Sequence, residues 1–197
     1  LMLIVIEGID GCGKSTVAEN LKKKLEEKGY KVFLTKEPYN IKIRELIREI
    51  IEKEHELDEY NGKILALLFA ADRHLHQLEI KRKISEGYIV IYDRYYHSSF
   101  AYQILYKGIS IDFIKSITPF LVRPDYVFIL DVPIEVAIDR LSIRDKRTKY
   151  EEKETLEKVR KNYLSLKDIL KDEKIFIIDN NRSVDETVRE ILSILRL

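Results

Sequence analysis

The stretch Gly8-Ile9-Asp10-Gly11-Cys12-Gly13-Lys14-Ser15, followed by Thr16, constrains this chain more than any other. An apolar run, Leu3–Ile6, stands before it. After it Val17, Ala18, Leu21 and Leu25 recur at helical spacing up to a stop at Gly29. Strand, glycine-rich turn and helix together form the arrangement in which backbone N–H groups turn inward around a β-phosphate. Lys14 then adds charge near the β- and γ-phosphates, Ser15 offers its hydroxyl to Mg2+, and the helix start contributes its positive end. A turn that merely joins strand to helix does not require this full pattern. A nucleoside triphosphate site is therefore expected over residues 8–16. Cys12 occupies a variable loop position and reads as small filler.

Four more short apolar runs read as buried strands: Val32–Thr35, Ile89–Tyr92, Tyr126–Leu130 and Ile175–Ile178. Helix-period segments alternate with them, at Ile41–Glu54, Gly62–Glu86, Phe100–Tyr106, Phe113–Leu121, Ile134–Ile143, Leu156–Leu170 and Val184–Leu195. Alternation of this kind predicts an α/β fold with a five-stranded parallel sheet, helices on both faces and right-handed crossovers. Ligands of such sheets bind beyond the carboxyl ends of the strands. No linker or repeat divides the chain, so one domain is expected over its 197 residues.

Composition limits the partners. Lys and Arg number 35 against 34 Asp and Glu, which gives no sign of nucleic-acid binding. The single Cys excludes an internal disulfide and fits a reducing compartment, so a cytoplasmic setting is expected. Leu1–Ile6 meets Glu7 too soon for a signal peptide or a membrane span, and no membrane association is expected.

A second anion site is legible in Asp93-Arg94-Tyr95-Tyr96-His97-Ser98-Ser99-Phe100-Ala101-Tyr102-Gln103. Asp93 falls at a strand's carboxyl end, where it can hold metal-bound water, and Arg94 can grip a phosphate through two N–H groups. Ser99, Tyr102 and Gln103 share one face if the segment is helical, and suit a sugar and a heterocycle. On the helix Gly62–Glu86, Phe69 and Arg73 lie one turn apart, as a stacking ring and a guanidinium on a base edge would. Either pair alone would read as core or as a surface ion pair. His74, His76 and His97 show no metal-ligand pairing and read as surface or satisfied polar residues. A basic run with Arg140, Arg144, Arg147 and Lys149 follows Pro133; it is a solvated charge run or a short lid at about 142–152 that brings charge to a transferring phosphoryl group. No Asn-Lys-x-Asp guanine-reading motif is present.

With these residues assembled, nearly the whole chain resembles the thymidylate kinases. The resemblance rests on Glu7-Gly8-Ile9-Asp10-Gly11, Glu37-Pro38, Leu68-Phe69-Ala70-Ala71-Asp72-Arg73, Asp93-Arg94-Tyr95 with Ala101-Tyr102-Gln103, and Leu130-Asp131-Val132-Pro133. It implies a P-loop nucleoside monophosphate kinase with ATP and dTMP as substrates, Mg2+ as cofactor, and a homodimer. It also implies roles. Gly8, Ile9, Asp10, Gly11, Cys12, Gly13, Lys14, Ser15 and Thr16 would hold ATP, with Arg140 near the adenine. Asp10, Glu37, Tyr39, Arg44, Phe69, Arg73, Arg94, Ser99, Tyr102 and Gln103 would hold dTMP. Phe69 would stack on the base, Arg73 with Ser99 and Gln103 would read it, Tyr102 would crowd the 2′ position, and Asp10 would take the 3′-hydroxyl. Arg94 would grip the acceptor phosphate with Arg44 or its neighbour Arg48. Ser15 and Asp93 would organise the metal and its waters. Lys14, Asp93, Arg94, Arg144 and Arg147 would be catalytic. The sequence departs from bacterial members in Tyr39-Asn40, where they carry glycines, and in Gly11, where an arginine would otherwise stand, which moves arginine duty to the lid. A kinase for another monophosphate or a deoxynucleoside, and a non-kinase nucleotide switch, remain as alternatives.

Overall fold

The computed structural model describes residues 2–53, 58–119, 121–142 and 152–197. Its sheet has five strands, β1 (Met2–Glu7), β2 (Val32–Lys36), β3 (Ile89–Asp93), β4 (Tyr126–Asp131) and β5 (Ile175–Asp179), all parallel, in the order β2-β3-β1-β4-β5. Leu3, Ile4, Val5 and Ile6 are each at most 1% exposed although successive side chains point to opposite faces, so both faces of the sheet are covered. The first helix, α1 (Lys14–Glu27), packs on the sheet beside α9 (Val184–Leu195). The latter begins in a reciprocal cap in which Ser183 accepts from the Glu186 N–H and Glu186 accepts from the Ser183 N–H.

The remaining described helices are α2 (Ile41–Lys53), α3 (Glu59–Ser85), α4 (His97–Ala101), α5 (Ile111–Ser116), α6 (Ile134–Leu141), α7 (Lys153–Leu164) and α8 (Leu166–Ile169). Helix α5 runs Ile111–Ser116 rather than Phe113–Leu121, and three further differences from the sequence reading have identifiable reasons. Helix α3 begins before Gly62, because the Asp58 side chain caps it by accepting from the Asn61 N–H at 2.8 Å. Gly62 then lies at the end of the first turn, where an added Cβ would stand 2.4 Å from Tyr106 Cβ; it marks a close packing contact rather than the first helical residue.

The segment after β3 is not one helix from Phe100. It is α4 and then a short 3-10 turn, Gln103–Leu105. The Ala101 carbonyl, which would continue the helix, accepts from Asn162 Nδ2 at 3.0 Å instead. The run Leu156–Leu170 is two helices, broken at Ser165, whose hydroxyl donates back to the Lys161 carbonyl.

Residue pairing across the sheet aligns the functional ends of the strands. Asp93 is opposite Ile6 on one side and Lys36 on the other, and Asp131 is opposite Asp179. The strand order reverses about β1, so the loop after β1 opens into the crevice where such sheets bind ligands.

Candidate active site

The glycine-rich loop folds tightly because two of its features leave no alternative. Gly8 has φ 143°, and a Cβ there would stand 2.6 Å from both Cys12 Sγ and the Leu130 carbonyl oxygen. Lys14 Nζ donates to the carbonyls of Gly8 and Ile9, both at 2.9 Å, and is buried. Cys12 is fully buried, and burial pushes its thiol up from its ordinary range, so it packs as a small apolar residue. No acidic side chain stands in the first turn of α1, which leaves the helix's positive end uncompensated at the loop. A cavity of about 280 Å3 lies over this surface. Its walls include Gly11, Gly13, Lys14, Ser15, Thr16 and Arg140, whose guanidinium donates to the Gly11 carbonyl at 3.3 Å.

Ser15 Oγ donates to Asp93 Oδ2 at 2.6 Å. The other carboxylate oxygen, Asp93 Oδ1, is buried with no partner among the described residues. A buried, unsatisfied carboxylate oxygen beside a hydroxyl is an all-oxygen donor set that fits a hard cation such as Mg2+. No group of three or more His, Cys, Asp or Glu side chains suited to a metal exists among the described residues. Magnesium in phosphoryl-transfer sites is commonly held by one or two carboxylates and the phosphates themselves, so the set is sufficient.

A second cavity, also about 280 Å3, adjoins the first. Asp10, Lys36, Glu37, Pro38, Ile51, Phe69, Arg94, Ser98, Tyr102 and Gln103 line it, and Asp10, Lys36 and Arg94 are common to both cavities. Arg94 donates to Asp10 Oδ1 and Tyr102 donates to Asp10 Oδ2 at 3.1 Å. The Arg94 guanidinium also reaches Ser98 Oγ at 3.2 Å and lies over the Tyr102 ring. Burial is the largest influence and opposes its charge, but Asp10 together with Tyr102, Tyr163 and Glu7 outweighs it and holds the guanidinium well above its ordinary range. Arg94 has φ 72°, a left-handed backbone that side chains other than Gly and Asn rarely adopt.

The cause lies in Glu7, which the sequence reading used only as part of a motif. Fully buried, it accepts from the N–H groups of Tyr95 at 2.7 Å and Ser98 at 3.1 Å, and from the hydroxyls of Ser98 and Tyr163, both at 2.8 Å. These bonds turn the chain sharply after β3. Burial first, and Glu7 second, push the Tyr163 phenol far up, so it remains a donor.

Arg73 is 2% exposed. Its guanidinium donates to Glu37 Oε2 at 3.0 Å, Ser99 Oγ at 2.9 Å and the Tyr95 carbonyl at 3.3 Å, and lies 5.7 Å from the Phe69 ring centre. That uses three of the five N–H donors of a guanidinium. Glu37 in turn meets His76 Nδ1 at 3.4 Å, and the other ring nitrogen meets Thr35 Oγ1 at 2.9 Å. Burial pushes the Glu37 carboxyl up from its ordinary range against the pull of His76 and Arg73.

The structure gathers Asp10, Glu37, Phe69, Arg94, Tyr102 and Gln103 on one wall, with Arg73 and Ser99 joined behind it. Tyr39 is placed elsewhere: it is exposed and stacks on His76 with ring centres 4.0 Å apart, while its backbone N–H donates to Asp72. Arg44 and Arg48 are both exposed on α2 and neither lines the cavity; Arg48 is paired with Glu52, while Ile51 supplies this helix's contribution to the wall. His76 and His97 are buried and hydrogen-bonded, the latter to Glu173 Oε2 at 2.6 Å, and His74 is exposed. The basic residues Arg144, Arg147 and Lys149, and nearly all of the expected lid, lie outside the described residues.

Two further supports went unread in the sequence. Asn180, after β5, donates to the Cys12 carbonyl at 2.6 Å and accepts from Thr187 at 2.7 Å, bracing the phosphate loop from the far end of the chain. Arg160 on α7 grips both oxygens of Asp131, at 2.7 and 2.9 Å. No local signal marks either residue, since their partners are distant in sequence.

Comparison with known proteins agrees with the geometry. The family model described as thymidylate kinase matches residues 6–191. The chain is 39% identical to a probable thymidylate kinase of Thermococcus gammatolerans, covering 98% of this chain and 95% of that protein. It is 41% identical to a probable thymidylate kinase of Methanocaldococcus jannaschii (99% and 96% covered) and 40% identical to a probable thymidylate kinase 1 of Saccharolobus solfataricus (98% and 96%).

Proposed function

The chain belongs to the thymidylate kinase family, and we propose that it transfers the γ-phosphoryl group of ATP to dTMP, giving ADP and dTDP. One observation supports this most: a phosphate-loop cavity adjoins an acceptor cavity bearing Phe69 and Gln103, and the two share Asp10, Lys36 and Arg94.

The acceptor is already an ionised phosphate, so the reaction requires no strong general base; positioning and charge neutralisation carry it. The loop N–H groups and Lys14 hold the donor phosphates. Arg94 holds the acceptor phosphate in line, while Asp10 and Tyr102 face the sugar. Phe69 stacks on the base and Gln103 meets its polar edge, with Arg73 behind them keeping two N–H groups unused among the described residues. Glu37 and Ser99 fix Arg73 and thereby the base register. Ser15 and Asp93 would hold Mg2+, which when bound screens the charge of the phosphates. Arg140 lies at the donor cavity, and Arg144 and Arg147 are assigned from the sequence to charge on the transferring group.

The protein is expected to act as a homodimer through α3. Besides its buried face, this helix exposes Tyr60 (82%), Ile64, Leu67, Leu75 and Leu78 (77%). Their spacing makes an uncharged stripe along a helix of 27 residues, and such a stripe is self-complementary across a two-fold axis. No helix among the described residues is long and apolar enough to cross a membrane, and a cytoplasmic setting is proposed.

The test is ADP formation from ATP with a panel of nucleoside monophosphates. A mispaired buried polar group costs about 1–3 kcal/mol, so dTMP is expected to exceed dCMP and UMP by about tenfold or more. Equal turnover of dTMP and dCMP refutes the thymidylate assignment, and slow hydrolysis independent of any acceptor refutes the kinase.

A further inference from the structure

Lys36 ends β2 directly opposite Asp93 in the register of the sheet. Its Nζ stands 3.7 Å from Asp93 Oδ2, and its side chain is 64% exposed. It lies on the wall of both cavities, as among the described residues only Asp10 and Arg94 also do. Those two neutralise one another through their ion pair. Lys36 is thus the shared residue whose charge is not held in a close pair: its contact with the buried Asp93 carboxylate is long, and its own side chain is largely exposed. Its flexible stem lets the charge follow a moving anion.

The donor and acceptor phosphates meet at this junction, where their like charges repel. We propose that Lys36 is a further catalytic residue, its ammonium bridging the acceptor phosphate and the transferring phosphoryl group. The inference rests on the kinase reading of the two cavities. In the step an acceptor-phosphate oxygen forms a bond to the γ-phosphorus. The bond from that phosphorus to the β,γ-bridging oxygen breaks, and its electron pair leaves with ADP. Lys36 neither gains nor loses a proton; it holds the two anions together while charge shifts between them. Because it bridges, its contribution grows only when both ligands are present.

The experiment compares Lys36→Ala and Lys36→Arg with the wild type. It measures kcat for dTMP phosphorylation, and equilibrium binding of dTMP alone and of a non-hydrolysable ATP analogue alone. Removal of one preorganised charge at a transition state commonly costs about 10²–10³-fold, so Lys36→Ala is expected to lower kcat by at least about tenfold. Each single-ligand affinity should stay near the wild-type value, and Lys36→Arg should restore most of kcat. Unchanged kcat in Lys36→Ala overturns the proposal. So does a loss that excess Mg2+ fully corrects, since Lys36 would then act through Asp93. A wild type that phosphorylates another monophosphate but not dTMP refutes the assigned substrate alone, and the same variants then test Lys36 with that acceptor. A wild type that phosphorylates no acceptor refutes both.

Discussion

Arg94 is strained in its backbone and is proposed to act through its charge, and the two properties separate in a pair of variants. Its φ of 72° is imposed by Glu7, which holds the N–H groups of Tyr95 and Ser98, and by the Arg94 N–H donating to the Ile6 carbonyl. Arg94→Ala and Arg94→Gly both remove the guanidinium. They differ in the cost of the left-handed conformation, roughly 1–2 kcal/mol for a residue with a Cβ and near zero for glycine. In a domain of this size each kcal/mol moves Tm by about 2–4 °C, so Arg94→Gly should melt about 2–8 °C above Arg94→Ala. Binding behaves differently. Truncating one partner of a charged hydrogen-bonded pair costs about 2–5 kcal/mol, so both variants should lose at least about 30-fold in dTMP affinity, to the same extent. Thermal melts and dTMP titrations of the two proteins give both numbers. Equal Tm values would show that the fold does not impose the positive φ. Unchanged dTMP binding would show that the guanidinium does not meet the acceptor.

Asn180→Ala removes the brace on the Cys12 carbonyl and leaves Thr187 unpaired, so ATP binding should weaken by about tenfold while dTMP binding alone is retained; calorimetric titration of each ligand checks this. Glu173 is partly desolvated, yet hydrogen bonds from His97 and Tyr96 and the field of Arg123 hold its carboxyl below the ordinary 4.5. A depressed carboxyl contributes stability above its unfolded value and loses it as pH falls through the folded one, so Glu173→Gln should flatten the stability curve at and below about pH 4.5 in acid titrations followed by denaturant melts. Leu67→Glu with Leu78→Glu places charge in the exposed α3 stripe and should convert a dimer to a monomer in sedimentation, with little change in melting of the monomer.

The phosphate loop was legible because its chemistry is contiguous: Gly8 to Ser15 carry their own turn, charge and hydroxyl. Strands buried on both faces were legible for the same reason, each a short apolar run. What stayed hidden depends on distant partners. Glu7 gave no sign that it accepts from Tyr95, Ser98 and Tyr163, because those donors arrive from the turn after β3, from α4 and from α7. The break at Tyr102 was invisible because Asn162, a residue of α7, takes the Ala101 carbonyl. Gly62 misled in the opposite direction, since the packing of Tyr106 rather than a helix boundary requires it. Arg73 was legible as a residue type but not as a buried group: its link to Glu37 joins α3 to the end of β2. Tyr39 was placed at the acceptor by resemblance, whereas its ring is held by His76.

The central claim is transfer between two adjoining phosphate sites, and the fate of a labelled phosphoryl group tests it most directly. With ATP labelled at the γ-position, Mg2+ and dTMP, the label is predicted to appear in dTDP with little free phosphate, because the proposed roles of Arg94 and the acceptor cavity put dTMP where water would otherwise attack. Label released as inorganic phosphate at the same rate with and without dTMP would contradict the account.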